Sequence, residues 1–103
     1  MKQKQLVRMK FAEAVFKRDG HKCKFCECTE NLDAHHIVDR HDMPNGGYVA
    51  ANGITLCPDH HMMAEKFHIS GGTEWESGMH PNDLYNKIGS SYEIALAASE
   101  RLK

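Results

Sequence analysis

The stretch that decides the fold runs from residue 23 to residue 61 and contains two short motifs, Cys23-Lys-Phe-Cys26 and Cys57-Pro-Asp-His60. Thiol and imidazole ligands in two such pairs, one on a turn and one at the start of a helix, are typical of tetrahedral zinc. Residues three apart in the first turn of a helix lie on one face, so Cys57 and His60 can converge on one ion. The sequence therefore predicts a structural zinc ion bound by Cys23, Cys26, Cys57 and His60.

Two other interpretations of the cysteines stay open. Cys23 and Cys26 have the spacing of a redox dithiol, although the surrounding sequence lacks a thioredoxin-like βαβ pattern. Cys28 could replace Cys26 as a zinc ligand, but the spacing favours Cys26 and leaves Cys28 as a free thiol. Because the N-terminus lacks the apolar core and cleavage site of a signal peptide, we expect a reducing compartment, where cysteines bind metals more often than they form disulfides.

The elements around these motifs follow from hydrophobic periodicity and from helix-start and helix-stop residues. The predicted fold class is α+β, with a zinc-stabilised core at about residues 15–68 and an extension at about 81–103, all in one domain over residues 1–103. Helices are predicted at 3–18, 58–68, 81–88 and 91–102, a strand at 32–38, a long loop at 39–53 and a short extended segment at 54–56. For the last helix we predict a capping box of Ser90 and Glu93 and a packing face of Ile94, Ala98 and Leu102.

The charge distribution separates a basic N-terminus from an acidic remainder. The chain has a net charge of −1, but its first 24 residues hold eight lysine and arginine residues against two acidic ones. Such a basic segment can follow nucleic-acid phosphates, although a solvated lysine-rich helix has the same composition. The residues that we expect to contact DNA are Lys2, Lys4, Arg8, Lys10, Lys17 and Arg18.

A second group of polar residues lies on the strand and the helix that flank the zinc motifs. Adjacent strand residues point to opposite sides, so His35 and His36 face different surroundings. His61 is turned about 100° around its helix from His60, away from the zinc. Glu65 and His68 follow His61 at i+4 and i+7, on the same face. We predict that they are accessory residues near a metal or a phosphate, and helix packing explains them equally well.

These motifs in this order resemble the HNH endonuclease family, namely the cysteine pair, Ala34-His35-His36-Ile37, and Asn52-Gly-Ile-Thr-Leu-Cys57-x-x-His60-His61. The resemblance covers residues 15–68, and the segment from Met43 to Tyr48 is similar to free-standing members from phages and bacteria. It implies a ββα-metal core, also called a treble-clef or His-Me finger. It also implies a metal-dependent DNA endonuclease in the cytoplasm of a bacterial host or phage-infected cell.

The resemblance also implies the role of each site residue. His36, directly before the isoleucine, is the general base, while His35 and His61 hold the catalytic metal. Asn52 orients the base and its loop through a hydrogen bond, and in-line attack leaves a 5′ phosphate and a 3′ hydroxyl. The chain departs from the family pattern at His60, where many members have cysteine, and at Asp39, where many have proline.

The resemblance leaves the metal and the target open. We expect Mg²⁺, which commonly binds alongside phosphates, although two imidazoles also accept Mn²⁺, Ni²⁺ or Zn²⁺. DNA is the expected partner, without a membrane, and because no helix-turn-helix is evident a protein partner could supply target specificity. The alternatives are a non-catalytic zinc module that binds nucleic acid or protein, and an RNA-directed nuclease of the same fold.

Overall fold

The computed structural model describes the backbone of residues 3–102 and the side chains of residues 5–102. Within that range it contains four helices and a two-stranded sheet, which confirms the α+β class. None of the described helices combines the length and apolar character needed to cross a membrane. In chain order the elements are α1 (Gln3–Arg18), β1 (Asp33–His36), β2 (Gly53–Leu56), α2 (Pro58–Ile69), α3 (Pro81–Lys87) and α4 (Tyr92–Arg101).

The sheet is antiparallel and ends directly after the two adjacent histidines. His35 pairs with Ile54 and His36 with Gly53. The strand is shorter than the predicted 32–38 because the next two residues bond to Asn52 instead. The main-chain oxygen of Asn52 accepts a hydrogen bond from the Ile37 N–H at 2.9 Å, and its side-chain oxygen accepts one from the Val38 N–H at 3.0 Å. The loop that we predicted at 39–53 contains three short 3₁₀ turns, Arg40–Asp42, Pro44–Gly47 and Ala50–Asn52.

Helix α1 packs directly on the first residue of β2. Phe11 and Val15 are buried on the side of α1 that faces the sheet. A Cβ atom on Gly53 would lie 2.5 Å from Val15 Cγ2 and 2.7 Å from Phe11 Cζ. Only glycine permits this approach, because any side chain would push the helix away from the sheet. The contact fixes α1 against the strand pair that carries His35 and His36.

The C-terminus of α1 is bound to β2 by an ion pair whose carboxylate, Asp19, is buried. Both side-chain oxygens of Asp19 accept from the Arg18 guanidinium at 2.8 Å, and Asp19 Oδ2 also accepts from the Thr55 N–H at 2.9 Å. Arg18 further donates to the main-chain oxygens of Ala50 at 2.7 Å and Gly53 at 2.6 Å. Burial alone would raise the pKa of Asp19, but these donors lower it below its usual value.

We expect Asp19→Asn to lower the free energy of unfolding by about 1.5–3 kcal/mol near pH 7, the range for hydrogen bonds to a charged group. Because the folded pKa is depressed, this contribution is present above pH 4 and is lost as the pH falls through the folded pKa. The difference between wild type and variant in urea unfolding should therefore shrink below about pH 4. Glu100→Gln, on an exposed part of α4, is the control; an equal effect there would contradict the assignment.

The C-terminal helices contact the loop before β2. Ser90 Oγ donates to the Ala51 oxygen at 2.9 Å, so it is not the cap of α4, and our predicted capping box is wrong. The N-cap is Ser91, whose side chain accepts from the Ile94 N–H. The packing face is also displaced: Ala95 and Ser99 are buried, whereas Ile94 is half exposed.

Candidate metal sites and active-site cleft

Four ligand atoms converge between the turn after α1 and the start of α2. The atoms belong to Cys23, Cys26, Cys57 and His60 and all lie within 4.8 Å of one another. Cys26 Sγ is 3.7 Å from Cys57 Sγ, and His60 Nδ1 is 3.3 Å from Cys57 Sγ and 3.8 Å from Cys23 Sγ. In a tetrahedral site with Zn–S bonds near 2.3 Å, ligand atoms are about 3.6–3.8 Å apart. The four residues therefore fit a tetrahedral metal and could hold zinc.

The thiols in this cluster lie close enough to change one another's ionisation. The main-chain N–H of Cys28 favours the Cys26 thiolate, but burial and the Cys57 and Cys23 side chains raise the pKa of Cys26 to about 11. Neighbouring thiolates repel one another unless a metal ion lies between them. Cys28 lies outside the cluster, with its exposed side chain 3.8 Å from the Glu30 oxygen. The structure therefore brings Cys26, and not Cys28, to the site.

A second cluster lies where α2 packs against β1. Ligand atoms of His35, Glu65 and His68 lie within 4.8 Å of one another. Glu65 Oε1 is 3.2 Å from His35 Nδ1 and 3.3 Å from His61 Nε2. Both ring nitrogens of His35 are buried without an aligned hydrogen-bond partner. Ligand atoms around a divalent metal with bonds near 2.1 Å are about 3 Å apart, so the donor set fits a metal ion.

The electrostatics of this second cluster keep its members in the forms that bind metals. Burial lowers the pKa of His35, even though Glu65 opposes the effect, so the imidazole is neutral. The contact with His35 lowers the pKa of Glu65 to about 2, so the carboxylate stays ionised. Asp33 Oδ2 lies 3.2 Å from His61 Nδ1, which turns His61 Nε2 toward Glu65. His35 is therefore neutral, Glu65 is ionised and His61 is oriented, which are the states in which these groups bind metals.

His36 lies on the opposite side of β1 from His35, as strand alternation predicts. Its ring stacks on Phe11 at 4.5 Å between centroids and meets Tyr48 edge-on at 4.7 Å. Burial lowers the pKa of His36 to about 4, and the neighbouring His35 adds to the effect. Nε2 is fully buried without a hydrogen-bond partner, so Nδ1 is the nitrogen available to the solvent side. His68 Nε2 lies 3.0 Å from the His36 main-chain oxygen and ties this residue to α2.

Asn52 is fully buried and bonds to the loop after His36 rather than to the His36 ring. Its Nδ2 donates to the oxygens of Val38 at 3.0 Å and Gly47 at 3.2 Å. Its Oδ1 accepts from the Val38 N–H at 3.0 Å and from the Tyr85 hydroxyl at 2.7 Å. The direct hydrogen bond that we expected between Asn52 and the base is therefore not formed. Asn52 instead fixes the backbone two residues beyond His36.

The two sides of β1 open into one cleft of about 550 Å³ between α1 and α2. The cleft is lined by His36, His35, His61, Glu65 and His68. Of the two expected metal ligands, His35 lies in the cluster with Glu65 and His68, whereas His61 lies outside it, 3.3 Å from Glu65. Three further residues at the cleft were missed from sequence, namely Phe11, Arg40 and Tyr48. They come from α1 and the loop, and no spacing in the sequence relates them to the histidines.

The expected DNA-binding residues do not share one environment. Arg18 is committed to the ion pair with Asp19 and to β2, so its donors serve the fold. Arg8 borders the cleft, and Lys10 and Lys17 are exposed on α1. Lys2 and the side chain of Lys4 lie outside the described residues.

The comparisons with known proteins agree with this geometry. Residues 23–70 match a family model described as HNH endonuclease. The matched segment begins at the first cysteine of the zinc cluster and ends one residue after α2, so it contains both metal clusters, His36 and Asn52. No curated protein and no solved structure matches the chain. The match supports the assignment of the segment at residues 23–70 to the HNH endonuclease family.

Proposed function

We propose that the chain is a metal-dependent DNA endonuclease that hydrolyses phosphodiester bonds with His36 as general base. The observation that carries the proposal is that one cleft contains a neutral imidazole on one side of β1 and a metal-ligand cluster on the other. A hydrolase of an anionic phosphodiester needs both a proton acceptor and a positive charge near the reacting phosphate. A module that only binds nucleic acid needs neither.

The catalytic metal would be held by His35, which lies in the cluster with Glu65 and His68, and by His61, which is outside that cluster and approaches Glu65 Oε1. Oε1 of Glu65 lies within 3.3 Å of both imidazoles, and its charge would offset part of the metal's charge. When bound, a divalent ion there would stabilise the extra negative charge that develops on the phosphate oxygens. A site with one carboxylate and two imidazoles suits Mg²⁺ and also Mn²⁺, Ni²⁺ or Zn²⁺. His68 supports the site by holding the backbone of His36.

His36 would take a proton from water through Nδ1. The stacking against Phe11 and the edge contact with Tyr48 hold the ring in one orientation, which lowers the entropy lost on reaction. Burial keeps the ring neutral in the free protein. A bound phosphate, being anionic, would raise the pKa of His36 and bring it toward the range in which a base works best at neutral pH.

Structural zinc at Cys23, Cys26, Cys57 and His60 would fix the start of α2, and therefore the three site residues that this helix carries. Cys57 is the N-cap residue of α2, yet its side chain makes no capping hydrogen bond. A metal bond would replace that missing cap. The exposed basic residues of α1 would follow the DNA backbone next to the cleft.

A plasmid-nicking assay tests the proposal. Purified protein with its zinc retained is incubated with supercoiled DNA, with and without added Mg²⁺ or Mn²⁺, beside His36→Ala. We expect nicked or linear DNA only with wild-type protein and added metal. Intact plasmid under every metal condition, with zinc bound and the chain folded, would point to the non-catalytic zinc module instead. Cleavage of RNA but not DNA would assign the same chemistry to an RNA substrate.

We also expect Glu65→Gln to weaken the catalytic metal. The substitution keeps the size of the side chain but removes the charge that faces His35 and His61, and changes of this kind typically weaken a metal site by about 10–100-fold. In a nicking assay with increasing Mg²⁺ or Mn²⁺, the half-maximal metal concentration should rise, with partial recovery at high metal. Glu93→Gln, exposed on α4, is the matched control. Identical metal dependence in both variants would remove Glu65 from the site.

A further inference from the structure

Two arginines converge on one hydroxyl group at the α1 side of the cleft. Arg8 lies three residues before Phe11, on the same face of α1, and its Nε donates to the Tyr48 hydroxyl at 3.3 Å. Arg40, in the first 3₁₀ turn, lines the same cleft as Arg8 and Tyr48. Burial alone would raise the pKa of Tyr48, but the guanidinium groups of Arg40 and Arg8 lower it. The two cations therefore lie close enough to act on one oxygen atom.

Neither arginine has a counter-charge of its own. Among residues 5–102, no carboxylate oxygen lies within 4 Å of the Arg8 or Arg40 guanidinium groups. Arg18 differs from both, because its guanidinium donates two hydrogen bonds to the Asp19 carboxylate. Two like charges held at a neutral hydroxyl repel each other, and an anion between them would relieve that repulsion. The planar guanidinium fork suits the oxygens of a phosphate.

The position of this pair relative to His36 sets which phosphate it can meet. Tyr48 contacts the His36 ring edge-on, and Arg8, Arg40 and Tyr48 line the same cleft as the histidines. The metal-ligand cluster lies across β1, on the α2 side. If the reacting phosphate lies between His36 and that cluster, the arginines lie beyond the base. They would then meet the next phosphate along the same backbone.

We propose that Arg8, Arg40 and the Tyr48 hydroxyl form a clamp for a DNA backbone phosphate next to the one that is cleaved. The inference rests on the proposed function for the identity of the substrate. The arginines supply charge and the hydroxyl donates a hydrogen bond. Because Tyr48 also packs on His36, a phosphate held in the clamp fixes the strand relative to the base. The clamp positions the substrate and takes no part in proton transfer.

The test measures binding rather than cleavage, so that it does not depend on turnover. A short DNA duplex is titrated with His36→Ala protein at several salt concentrations, with and without Arg8→Gln, Arg40→Gln or both. Each arginine that contacts a phosphate contributes about one unit to the slope of log affinity against log salt. We expect the slope to fall by about one unit per arginine. Tyr48→Phe, which keeps the ring packing, should weaken binding by about two- to tenfold.

Arg101→Gln is the matched control, since it removes an exposed arginine on α4 outside the cleft. The clamp is overturned if the double variant keeps the wild-type slope while its melting temperature is unchanged, or if Arg101→Gln has the same effect. It is also overturned if the chain binds an RNA duplex and no DNA. A reduced slope in the clamp variants, with a wild type that never nicks plasmid, would keep the clamp and reject the nuclease. Nicking by the wild type, with an unchanged salt slope in the clamp variants, would keep the nuclease and reject the clamp.

Discussion

Removing the structural zinc should unfold the core of this protein. Zinc sites of this type contribute about 10 kcal/mol or more in small domains, which equals or exceeds the whole stability of an ordinary domain. Cys23 and Cys57 are buried at the junction between the turn after α1 and the N-terminus of α2. The expected result of a strong chelator, or of Cys57→Ser, is loss of the cooperative melting transition. The effect is measured by melting curves from circular dichroism and by the zinc content from a colorimetric chelator assay.

Cys28→Ser is the matched control for this prediction. Cys28 lies two residues from Cys26 but outside the cluster, so the variant should keep one zinc per chain and an unchanged melting temperature. Loss of zinc from Cys28→Ser would move the fourth ligand from Cys26 to Cys28. A metal-free protein that melts like wild type would reject structural zinc altogether.

Loss of zinc should also disable the cleft, and this links stability to activity. Helix α2 carries His61, Glu65 and His68, and Cys57 and His60 at its start belong to the zinc cluster. A helix that frays from this end would separate Glu65 from His35, which lie 3.2 Å apart in the folded chain. Zinc removal is therefore expected to abolish nicking even when Mg²⁺ is present in excess.

The sequence predicted those parts of the site that follow from regular periodicity. Alternation along β1 separates His35 from His36, and the i, i+4, i+7 spacing on α2 brings Glu65 and His68 to the side of His61. The zinc quartet follows from two equal spacings and its atoms converge in the structure. The bounds of α1 match the prediction and those of the other three helices differ by one residue, because local capping interactions decide where a helix ends.

The parts that could not be predicted depend on irregular backbone. Tyr48 and Arg40 belong to a loop with three 3₁₀ turns, and their place beside His36 depends on how Asn52 bonds to the Val38 and Gly47 backbones. Gly47 has no room for a Cβ, which would lie 2.6 Å from Asn52 Nδ2. No periodic pattern encodes this arrangement. A count of basic residues likewise does not predict that Arg18 forms an ion pair with Asp19.

Substitution of the two adjacent histidines should inactivate the protein in two different ways. His36→Ala should keep its affinity for metal and DNA but lose about 10²–10⁴-fold in turnover, the usual contribution of a general base. His36 shares no contact with Glu65, whereas His35 lies 3.2 Å from it. His35→Ala should therefore weaken the catalytic metal, and raised Mg²⁺ or Mn²⁺ should partly restore its activity. Because His35 is buried, the more exposed His61 gives a second variant with less risk of misfolding, and His61→Ala should behave in the same way.

The decisive measurement is the metal dependence of the nicking rate for the three variants. We expect a flat, low rate for His36→Ala at every metal concentration and a rising rate for His35→Ala and His61→Ala. His41→Ala, which changes an exposed histidine of the first 3₁₀ turn, should match wild type. Each variant must first keep its zinc and its melting transition, since His36 fills the space between Phe11 and Tyr48. Recovery of His36→Ala by added metal, with no recovery of His35→Ala, would exchange the roles of the two residues and place the base on the α2 side of β1.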